Sequence, residues 1–274
     1  MTDMTLGYDE FCIFLEKHSG ILLGDSKEYL VASRLRRLMA EQGLTSLVEL
    51  ISRLQMVTQI KLKTQVIDAM TTNETLWFRD SHPFRILEQK LLPEFDARLA
   101  SARLRVWSAA CSTGQEPYSI AMILREFRQQ NRKVSAGADI VATDISPTAL
   151  AQARSGEYSA LAIGRGLDPV KLKKHFTEVS SGRYKINPTI AADIDFRTQN
   201  LQDSYALLGR FDVVFCRNVL IYFSANFKRD ILTRMHATLN PGGYLLVGAS
   251  EAVHGLSDLY EMVHCRPGIL YKKI

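Results

Sequence analysis

The chain has 274 residues, of which 46% are hydrophobic and 23% charged, so it is not disordered and is long enough for one large domain or a domain with a smaller companion. The formal charge is +5, which on its own would allow an acidic partner such as nucleic acid. No apolar run reaches the roughly 18 residues of a membrane span, and the acidic residues at positions 3, 9, 10 and 16 argue against a secretory signal. We expect a cytoplasmic protein that does not insert into membranes.

The positive charge is unevenly distributed. Residues 1–90 hold 11 Lys/Arg against 12 Asp/Glu, and residues 91–274 hold 23 against 17. Two stretches, 27–37 and 165–185, are locally basic. Each is either a solvated face or a docking surface for an acidic partner, and we expect no nucleic-acid ligand.

The first 90 residues carry a helical pattern without strand-like alternation. An apolar stripe at helical spacing predicts a helix over 27–42, and its members are Val31, Leu35, Leu38 and Met39. Gly43 suits the end of that helix, and further short helices are predicted over Ser46–Leu54 and Lys61–Met70. We predict an N-terminal helical domain over 1–75 and a linker over 76–90.

From about residue 100, short apolar strands alternate with helices, which favours a doubly wound, mostly parallel sheet. The predicted strands are Leu104–Ala110, Ile140–Thr143, Phe211–Cys216, Tyr244–Gly248 and Ile269–Tyr271. Helices are predicted from Glu116, Ser146 and about Ala225, and Asn240–Gly243 is predicted as a turn. The pattern predicts a Rossmann-like α/β domain over 91–274.

A small antiparallel β insertion is predicted within this domain at about 160–197. Its expected strands are His175–Val179, Arg183–Ile186 and Ile194–Arg197, with Ser181-Gly182 at a hairpin turn. The insertion interrupts the alternation of strands and helices on either side.

The cysteines and histidines do not suggest a metal or disulfide site. Cys12, Cys111, Cys216 and Cys265 are far apart without a CxxC pair, and the six histidines are scattered. The sequence also lacks the G-x-S-x-G and H-E-x-x-H signatures of hydrolases and zinc proteases. We expect reduced thiols and no metal.

Three polar positions follow predicted strands: the loop Ala110–Gly114, Asp144, and the pair Arg217-Asn218. Ligands of doubly wound sheets bind at these strand ends, where an acidic residue is suited to ribose hydroxyls. The first loop has one glycine, which disfavours a phosphate cradle for NAD or FAD and favours a nucleoside without phosphates, such as S-adenosylmethionine (SAM). Asp144 could instead cap a helix, and Glu116 is either a ligand contact or a first-turn acid favoured by the helix dipole.

Two further segments combine polar and aromatic residues. Met70–Asp80 joins the helical part to the α/β part. Its composition predicts either the wall of a ligand pocket or a capped helix start. Phe215–Phe223 places Asn218 and Tyr222 four residues apart and lacks the prolyl-aromatic pair of base N-methyltransferases.

Five segments of the chain resemble the chemotaxis receptor methyltransferases, the CheR family. They are TTNETLWFRD (71–80), VWSAACSTGQEPYSIAM (106–122), VATDISPTALAQAR (141–154), FDVVFCRNVLIYF (211–223) and LNPGGYLLVGASE (239–251). The resemblance covers nearly the whole chain, and the second and fourth segments are very specific. It implies SAM-dependent methyl esterification of glutamate side chains on bacterial chemoreceptors, with S-adenosylhomocysteine (SAH) as the other product.

The resemblance also implies roles for individual residues. The expected cofactor contacts are Asn73, Thr75, Arg79, Glu116, Asp144, Asn200, Leu201, Arg217 and Asn218. Arg79 and Tyr222 are the expected catalytic residues at the methyl-acceptor site. Arg34, Arg36 and Arg37 are expected to meet the cytoplasmic domain of the receptor, and the β insertion is expected in some members to bind the receptor's C-terminal pentapeptide. The protein is expected to act as a monomer.

The chemistry is consistent with this resemblance. A glutamate carboxylate is already ionised at pH 7, so the reaction requires alignment and exclusion of water rather than a general base. Three alternatives remain: an NAD-dependent oxidoreductase, which the first loop disfavours, a SAM-binding adaptor without activity, and a methyltransferase that acts on another protein.

Overall fold

The computed structural model describes residues 6–24, 26–98, 103–129, 137–266 and 268–274. Its first part is helical, with α1 (Tyr8–Ser19), α2 (Glu28–Glu41), α3 (Leu47–Leu54) and α4 (Ile60–Met70). The predicted apolar stripe of α2 is buried in a core that these helices share. Gly43 has a φ of +65° after α2, and the Ser46 hydroxyl caps α3 by accepting the N–H of Glu49 at 3.2 Å.

The remaining helices include the three that the sequence predicts from Glu116, Ser146 and about Ala225, together with short helices that it does not predict. They are α5 (His82–Ile86), α6 (Leu92–Arg98), α7 (Gln115–Gln129), α8 (Pro147–Ser155), α9 (Ala160–Ile163), α10 (Pro169–His175), α11 (Pro188–Ala191) and α12 (Ala225–Thr238). A π-helical segment, Leu87–Leu91, joins α5 to α6, and Leu220–Tyr222 forms a 3₁₀ turn. None of the helices in the described ranges combines the length and apolarity that would span a membrane.

The strands form two sheets. They are β1 (Leu104–Ala109), β2 (Ala138–Asp144), β3 (Glu157–Ser159), β4 (Phe176–Ser180), β5 (Arg183–Ile186), β6 (Ile194–Thr198), β7 (Phe211–Cys216), β8 (Leu239–Val247), β9 (Tyr260–Cys265) and β10 (Gly268–Lys273). Within the described residues, seven strands pair in the order β6-β2-β1-β7-β8-β10-β9. All pairs from β6 to β8 are parallel, and β10 is antiparallel to both neighbours, which confirms the doubly wound α/β fold.

The strand order reverses between β1 and β7. The chain leaves β1 toward β2 on one side of the sheet, and later returns through β7 toward β8 on the other side. Adjacent parallel strands with connections that diverge leave a crevice at their carboxyl ends, the usual ligand position in this fold. The ends of β1, β2 and β7 therefore frame the site.

The small antiparallel sheet exists, but one of its strands differs from the prediction. Its order is β3-β5-β4, and its third strand is Glu157–Ser159, which precedes the predicted insertion. The segment predicted as that strand, Ile194–Arg197, lies in β6, which pairs with β2 in parallel from Ile140 opposite Ile194. A short alternating strand does not encode its partner, and here the exposed edge of β2 takes it.

Two other differences concern the end of the chain. Asn240–Gly243, predicted as a turn, lies within β8 as a bulge, since the register shifts between the pairs Phe211–Leu239 and Val213–Tyr244. The strand β9 was not predicted, because outward-facing residues dominate its sequence. It pairs along its whole length with β10 at the sheet edge.

The segment 76–90 is packed into the core of the α/β part instead of forming a linker. Trp77 is fully buried, and Phe84, Ile86 and Leu87 join the same cluster beneath β1 and β7. The Trp77 indole donates to the carbonyl of Ala162 at 3.1 Å, and its backbone N–H donates to the carbonyl of Arg165 at 3.1 Å. We propose that the boundary between the helical and α/β parts lies near residues 71–75.

Candidate functional site

A cavity of about 240 Å³ lies between the carboxyl ends of β1, β2 and β7 and the helical part of the chain. Every residue that the resemblance assigns to cofactor binding lines this cavity, and so does Tyr222. From the helical part, residues 19, 21–24, 27, 30 and 34 complete its wall. The cavity therefore needs both parts of the chain, in agreement with the pocket wall predicted at their junction over Met70–Asp80.

The loop after β1 has a strained backbone. Ala110 and Ser112 have φ values of +57° and +52°, a left-handed conformation that residues with a Cβ rarely adopt. The Ser112 N–H donates to Asp144 Oδ2 at 2.7 Å, and its hydroxyl donates to the carbonyl of Asn73 at 2.9 Å. Such conformations persist where the surroundings enforce them and concentrate at ligand sites.

Asp144 is buried at the end of β2. Its two carboxylate oxygens accept the N–H groups of Ser112 at 2.7 Å and Ser146 at 2.9 Å. Burial raises the pKa of Asp144, and these backbone N–H groups partly offset that rise. Ser146, not Asp144, caps α8, since its hydroxyl accepts the N–H of Ala149 at 3.0 Å. The carboxylate retains acceptor capacity toward the cavity.

Glu116 and Arg217 form a buried ion pair in the wall of the cavity. Glu116 Oε1 accepts the Ser108 hydroxyl at 2.8 Å, and Oε2 pairs with Arg217 Nη1 at 2.8 Å. Arg217 Nη2 pairs with Asp80 Oδ2 at 2.8 Å and donates to the carbonyl of Arg79 at 2.7 Å. Only 1% of the Arg217 side chain is exposed, so its guanidinium is engaged by the protein and anchors the backbone beside Arg79.

The segment 71–75 forms one wall and is held by side chains from both parts of the chain. Arg34 donates to the carbonyl of Thr71 at 3.1 Å and to the Thr72 hydroxyl at 2.8 Å. The Asn73 amide donates to the Ser146 hydroxyl at 3.3 Å, and Thr75 lines the cavity beside it. These contacts join α2, the segment and the start of α8.

The three arginines expected to contact the receptor lie in two different environments. Arg34 lines the cavity and holds its wall, whereas Arg36 and Arg37 are exposed on α2. Arg37 pairs with Glu41 at 2.8 Å, one helical turn away. Of the three arginines, Arg36 and Arg37 are therefore the exposed ones, and a role in receptor binding stays a prediction.

The opposite wall is built from residues 199–201 and the loop after β7. The Asn200 amide donates to the carbonyl of His18 at 2.8 Å, so it also joins α1 to the α/β part. Asn218 has a φ of +58°, and the carbonyl of Tyr222 accepts the N–H of Leu22 at 2.8 Å. Among the hydrogen bonds of the described residues, none involves the Tyr222 hydroxyl, which remains available to a ligand.

Sequence reasoning missed two carboxylates that support this site. Asp68, in the last turn of α4, accepts hydroxyl hydrogen bonds from Ser146 and Thr148 at the start of α8. Glu251 accepts backbone N–H groups from the loop after β7. Asp68 gave no motif signal. Glu251 ends the quoted segment LNPGGYLLVGASE, and an acidic residue within four positions of the end of a buried strand was a usable signal.

Family models match nearly the whole chain. Residues 6–71 match the "CheR methyltransferase, all-alpha domain", and residues 73–269 match the "CheR methyltransferase, SAM binding domain". The chain belongs to the CheR methyltransferase family. The division between the two matches falls at the cavity-lining segment 71–75.

Relatives support the same membership over full length. The chain is 55% identical to "Chemotaxis protein methyltransferase Cher2" of Pseudomonas putida and 54% identical to "Chemotaxis protein methyltransferase 1" of Pseudomonas aeruginosa, in each case over 99% of both chains. It is 50% identical to "Chemotaxis protein methyltransferase 1" of Vibrio cholerae, again over 99% of both. The resemblance seen in the sequence is confirmed: the chain is a SAM-dependent methyltransferase of bacterial chemotaxis.

The donor set of the cavity fits SAM. A buried carboxylate at the end of β2 suits the ribose hydroxyls, and the polar side chains of segment 73–75 suit an amino acid moiety. The loop after β1 lacks the several glycines that a pyrophosphate requires. In the described part of the chain, no three His, Cys, Asp or Glu side chains are grouped as metal ligands.

Proposed function

We propose that this CheR methyltransferase converts glutamate side chains of bacterial chemoreceptors to γ-glutamyl methyl esters by direct in-line transfer. The observation that carries the proposal is the composition of the cavity wall. Arg79 and Tyr222 face the same space as Asp144 and Glu116, and no histidine is among the lining residues that the structure describes. This arrangement suits a substrate that is already an anion and needs no base.

The cofactor would be held by the strand ends and by segment 73–75. Asp144 would accept from the ribose, and Asn73, Thr75, Asn200, Leu201 and Asn218 would enclose the rest. When bound, SAM would supply a methyl group attached to a positively charged sulfur, and the sulfur would leave as the neutral thioether of SAH. Glu116 contributes negative charge near that centre, although Arg217 compensates much of it.

Arg79 and Tyr222 would orient the acceptor carboxylate. The Arg79 Nη1 group donates to the carbonyl of Glu74 at 3.1 Å, and no other hydrogen bond of its side chain occurs among the described residues. Its remaining N–H groups and the Tyr222 hydroxyl are donors suited to a carboxylate. Too tight an ion pair would weaken the nucleophile, so Arg79 is proposed to orient the carboxylate and to offset its desolvation.

The receptor is proposed to dock along α2. Arg36 and Arg37 are exposed on the helix whose Arg34 lines the cavity, so an acidic helical partner on α2 would lie next to the cavity mouth. The receptor's C-terminal pentapeptide is proposed to add to the small sheet, where β4 forms an edge with mostly exposed residues. In this proposal the enzyme acts as a monomer in the cytoplasm.

The decisive experiment is transfer of labelled methyl from SAM to the cytoplasmic fragment of a chemoreceptor. Label that alkali releases as methanol would establish a carboxyl methyl ester. A receptor fragment with its acceptor glutamates changed to glutamine is the matched control and should stay unlabelled. Tight SAH binding without any label would contradict the proposal and favour a different acceptor or an adaptor role.

A further inference from the structure

The carboxylate of Glu251, four residues after the end of β8, accepts three backbone N–H groups. Its Oε2 accepts the N–H groups of Asn218 and Gly248, each at 2.7 Å. Its Oε1 accepts the N–H of Ile221 at 3.3 Å. Three backbone dipoles thus converge on one carboxylate, an arrangement that stabilises the charge and fixes the groups that donate to it.

The loop fixed in this way carries two residues of the site. Asn218 and Tyr222 both line the cavity, whereas Glu251 does not. Asn218 has a φ of +58°, which a residue with a Cβ keeps only when its surroundings hold it there. The Glu251 carboxylate takes the N–H of Asn218 at one end of the loop and that of Ile221 next to Tyr222 at the other.

The backbone at Gly248 leaves room for this carboxylate. A Cβ at Gly248 would lie 2.5 Å from Glu251 Oε2 and 2.9 Å from the backbone nitrogen of Asn218. Neither distance is compatible with van der Waals contact, so a side chain here must displace the carboxylate or the loop. The N–H of Glu251 in turn donates to the carbonyl of Gly248 at 2.9 Å, which closes the turn.

We propose that Glu251 is a positioning residue for methyl transfer: its carboxylate ties the β8 turn to the loop 217–222 and so holds Asn218 and Tyr222 in the cavity wall. This inference rests on the proposed function, in which Tyr222 orients the acceptor. Glu251 contacts neither substrate in this scheme and acts through the loop.

The variant Glu251→Gln keeps the shape of the side chain but has one acceptor oxygen and an amide that is a donor. At least one of the three N–H groups then loses its partner. We expect kcat to fall about 100-fold, because small misplacements of reacting groups have effects of this size. The SAH dissociation constant should rise by less than about tenfold, because most cofactor contacts lie elsewhere. Glu261→Gln, at an exposed position of β9, removes the same charge and should leave both quantities unchanged.

A second variant separates position from charge. Gly248→Ala keeps the Glu251 side chain but places a methyl group 2.5 Å from its Oε2. It should reproduce the loss of kcat. Hydrogen exchange measured by mass spectrometry should be faster in peptides covering 216–223 in both variants, with the remaining peptides unchanged.

The outcomes are distinguishable. Unchanged exchange in 216–223 together with unchanged kcat would overturn the inference, as would faster exchange spread over the whole chain, which indicates a general loss of stability. If Glu251→Gln does not fold, Gly248→Ala decides. If the wild-type enzyme labels no receptor, the proposed function fails, while the exchange of 216–223 and the SAH affinity still decide whether Glu251 holds the loop.

Discussion

At the scale of single residues, the side chains of the site differ in whether the protein already uses their hydrogen-bonding groups. Both terminal nitrogens of Arg217 are bonded to Glu116, Asp80 and a backbone carbonyl, and its Nε is buried without a partner. Arg79 instead donates one hydrogen bond, to the carbonyl of Glu74. Both arginines follow from the sequence as site residues. The sequence does not predict that Arg217 anchors the wall while Arg79 faces the ligand. The partners of Arg217 lie more than 100 positions away from it in the chain.

Arg79→Ala should reduce methyl transfer about 100-fold or more, because a charged donor aimed at the reacting carboxylate is lost. Initial rates with the receptor fragment measure this effect. Arg85→Ala, at an exposed position six residues further along the chain, is the matched control and should be neutral. Near-normal turnover of the Arg79 variant would exclude the orienting role.

Asp144→Asn should raise the dissociation constant of SAH by roughly tenfold to 100-fold. This is the usual cost of losing hydrogen bonds to a charged group, here those from the ribose hydroxyls. The asparagine amide would also oppose the N–H of Ser112 or Ser146, each of which now donates to the carboxylate. Calorimetric titration with SAH measures the change. The exposed substitution Asp258→Asn should have no effect, and equal affinities for the two variants would refute the ribose assignment.

At the scale of secondary-structure elements, the helical part and the sheet are joined by a few polar contacts at the cavity. Asp68 at the end of α4 binds the start of α8, and Asn200 binds the last turn of α1. The elements themselves follow well from apolar periodicity, as α2 and the parallel strands illustrate. Which strand edge accepts a short strand such as β6, and which side chains cross between elements, depends on packing that periodicity does not contain.

Asp68→Asn should lower both the stability and the SAH affinity of the protein. One carboxylate oxygen becomes an NH2 group that faces the hydroxyl of either Ser146 or Thr148, each of which now donates to its own oxygen of Asp68. The expected cost is about 1–3 kcal/mol in the free energy of unfolding. Ser146 also contacts Asn73 in the cavity wall, so the loss should reach the cofactor. Thermal unfolding with and without SAH measures both effects, and a full ligand-induced shift in the variant would show that the contact is purely structural.

Reversing charge at Arg36 and Arg37 to Glu should reduce receptor methylation at low salt while SAH affinity stays at the wild-type value. The reason is the loss of attraction between α2 and an acidic helical partner, which salt screens. The control is Arg229→Glu on the exposed face of α12. Unaltered methylation in the double variant would place the receptor on another surface.

At the scale of the whole molecule, the chain has separate apolar cores for the helical part and for the two faces of the sheet. The sequence predicts this division, since helical periodicity gives way to alternating strands and helices near residue 100. It did not reveal that residues 76–90 belong to the core of the sheet, because the buried aromatics Trp77 and Phe84 lie in a stretch with polar neighbours. Burial of these side chains is a property of the assembled fold.

The protein should lose stability as the pH falls from 8 to 6. Burial lowers the pKa of His175 below its ordinary 6.5, and the hydrogen bond with Glu126 at 2.8 Å offsets this only in part. A depressed pKa means that the unfolded chain binds the proton more readily, so the folded state is favoured above about pH 6.5 and progressively less below it. Burial lowers the pKa values of His18 and His236 in the same direction.

Melting temperatures at pH 8 and pH 6 test this dependence. His175→Gln removes one contributing group, so the decrease between the two pH values should be smaller in the variant. For Glu126, burial alone would raise the pKa, but hydrogen bonds from Lys171 and His175 outweigh it and keep the pKa below 4.5, so this carboxylate matters only at lower pH. An identical decrease in wild type and variant would show that His175 is not a source of the dependence.

The burial of Trp77 gives the molecule an internal optical reporter. Its indole lies edge-on to Tyr158 of β3 and Phe176 of β4, with ring centroids 4.9 and 5.3 Å away, and its own chain runs directly into the cavity wall at Thr75. The chain has one other tryptophan, Trp107, held inside β1 by a hydrogen bond to Thr143. Replacing Trp107 by Phe leaves Trp77 as the one tryptophan of the chain, between the small sheet and segment 73–75, so its fluorescence should respond when either of these neighbours moves.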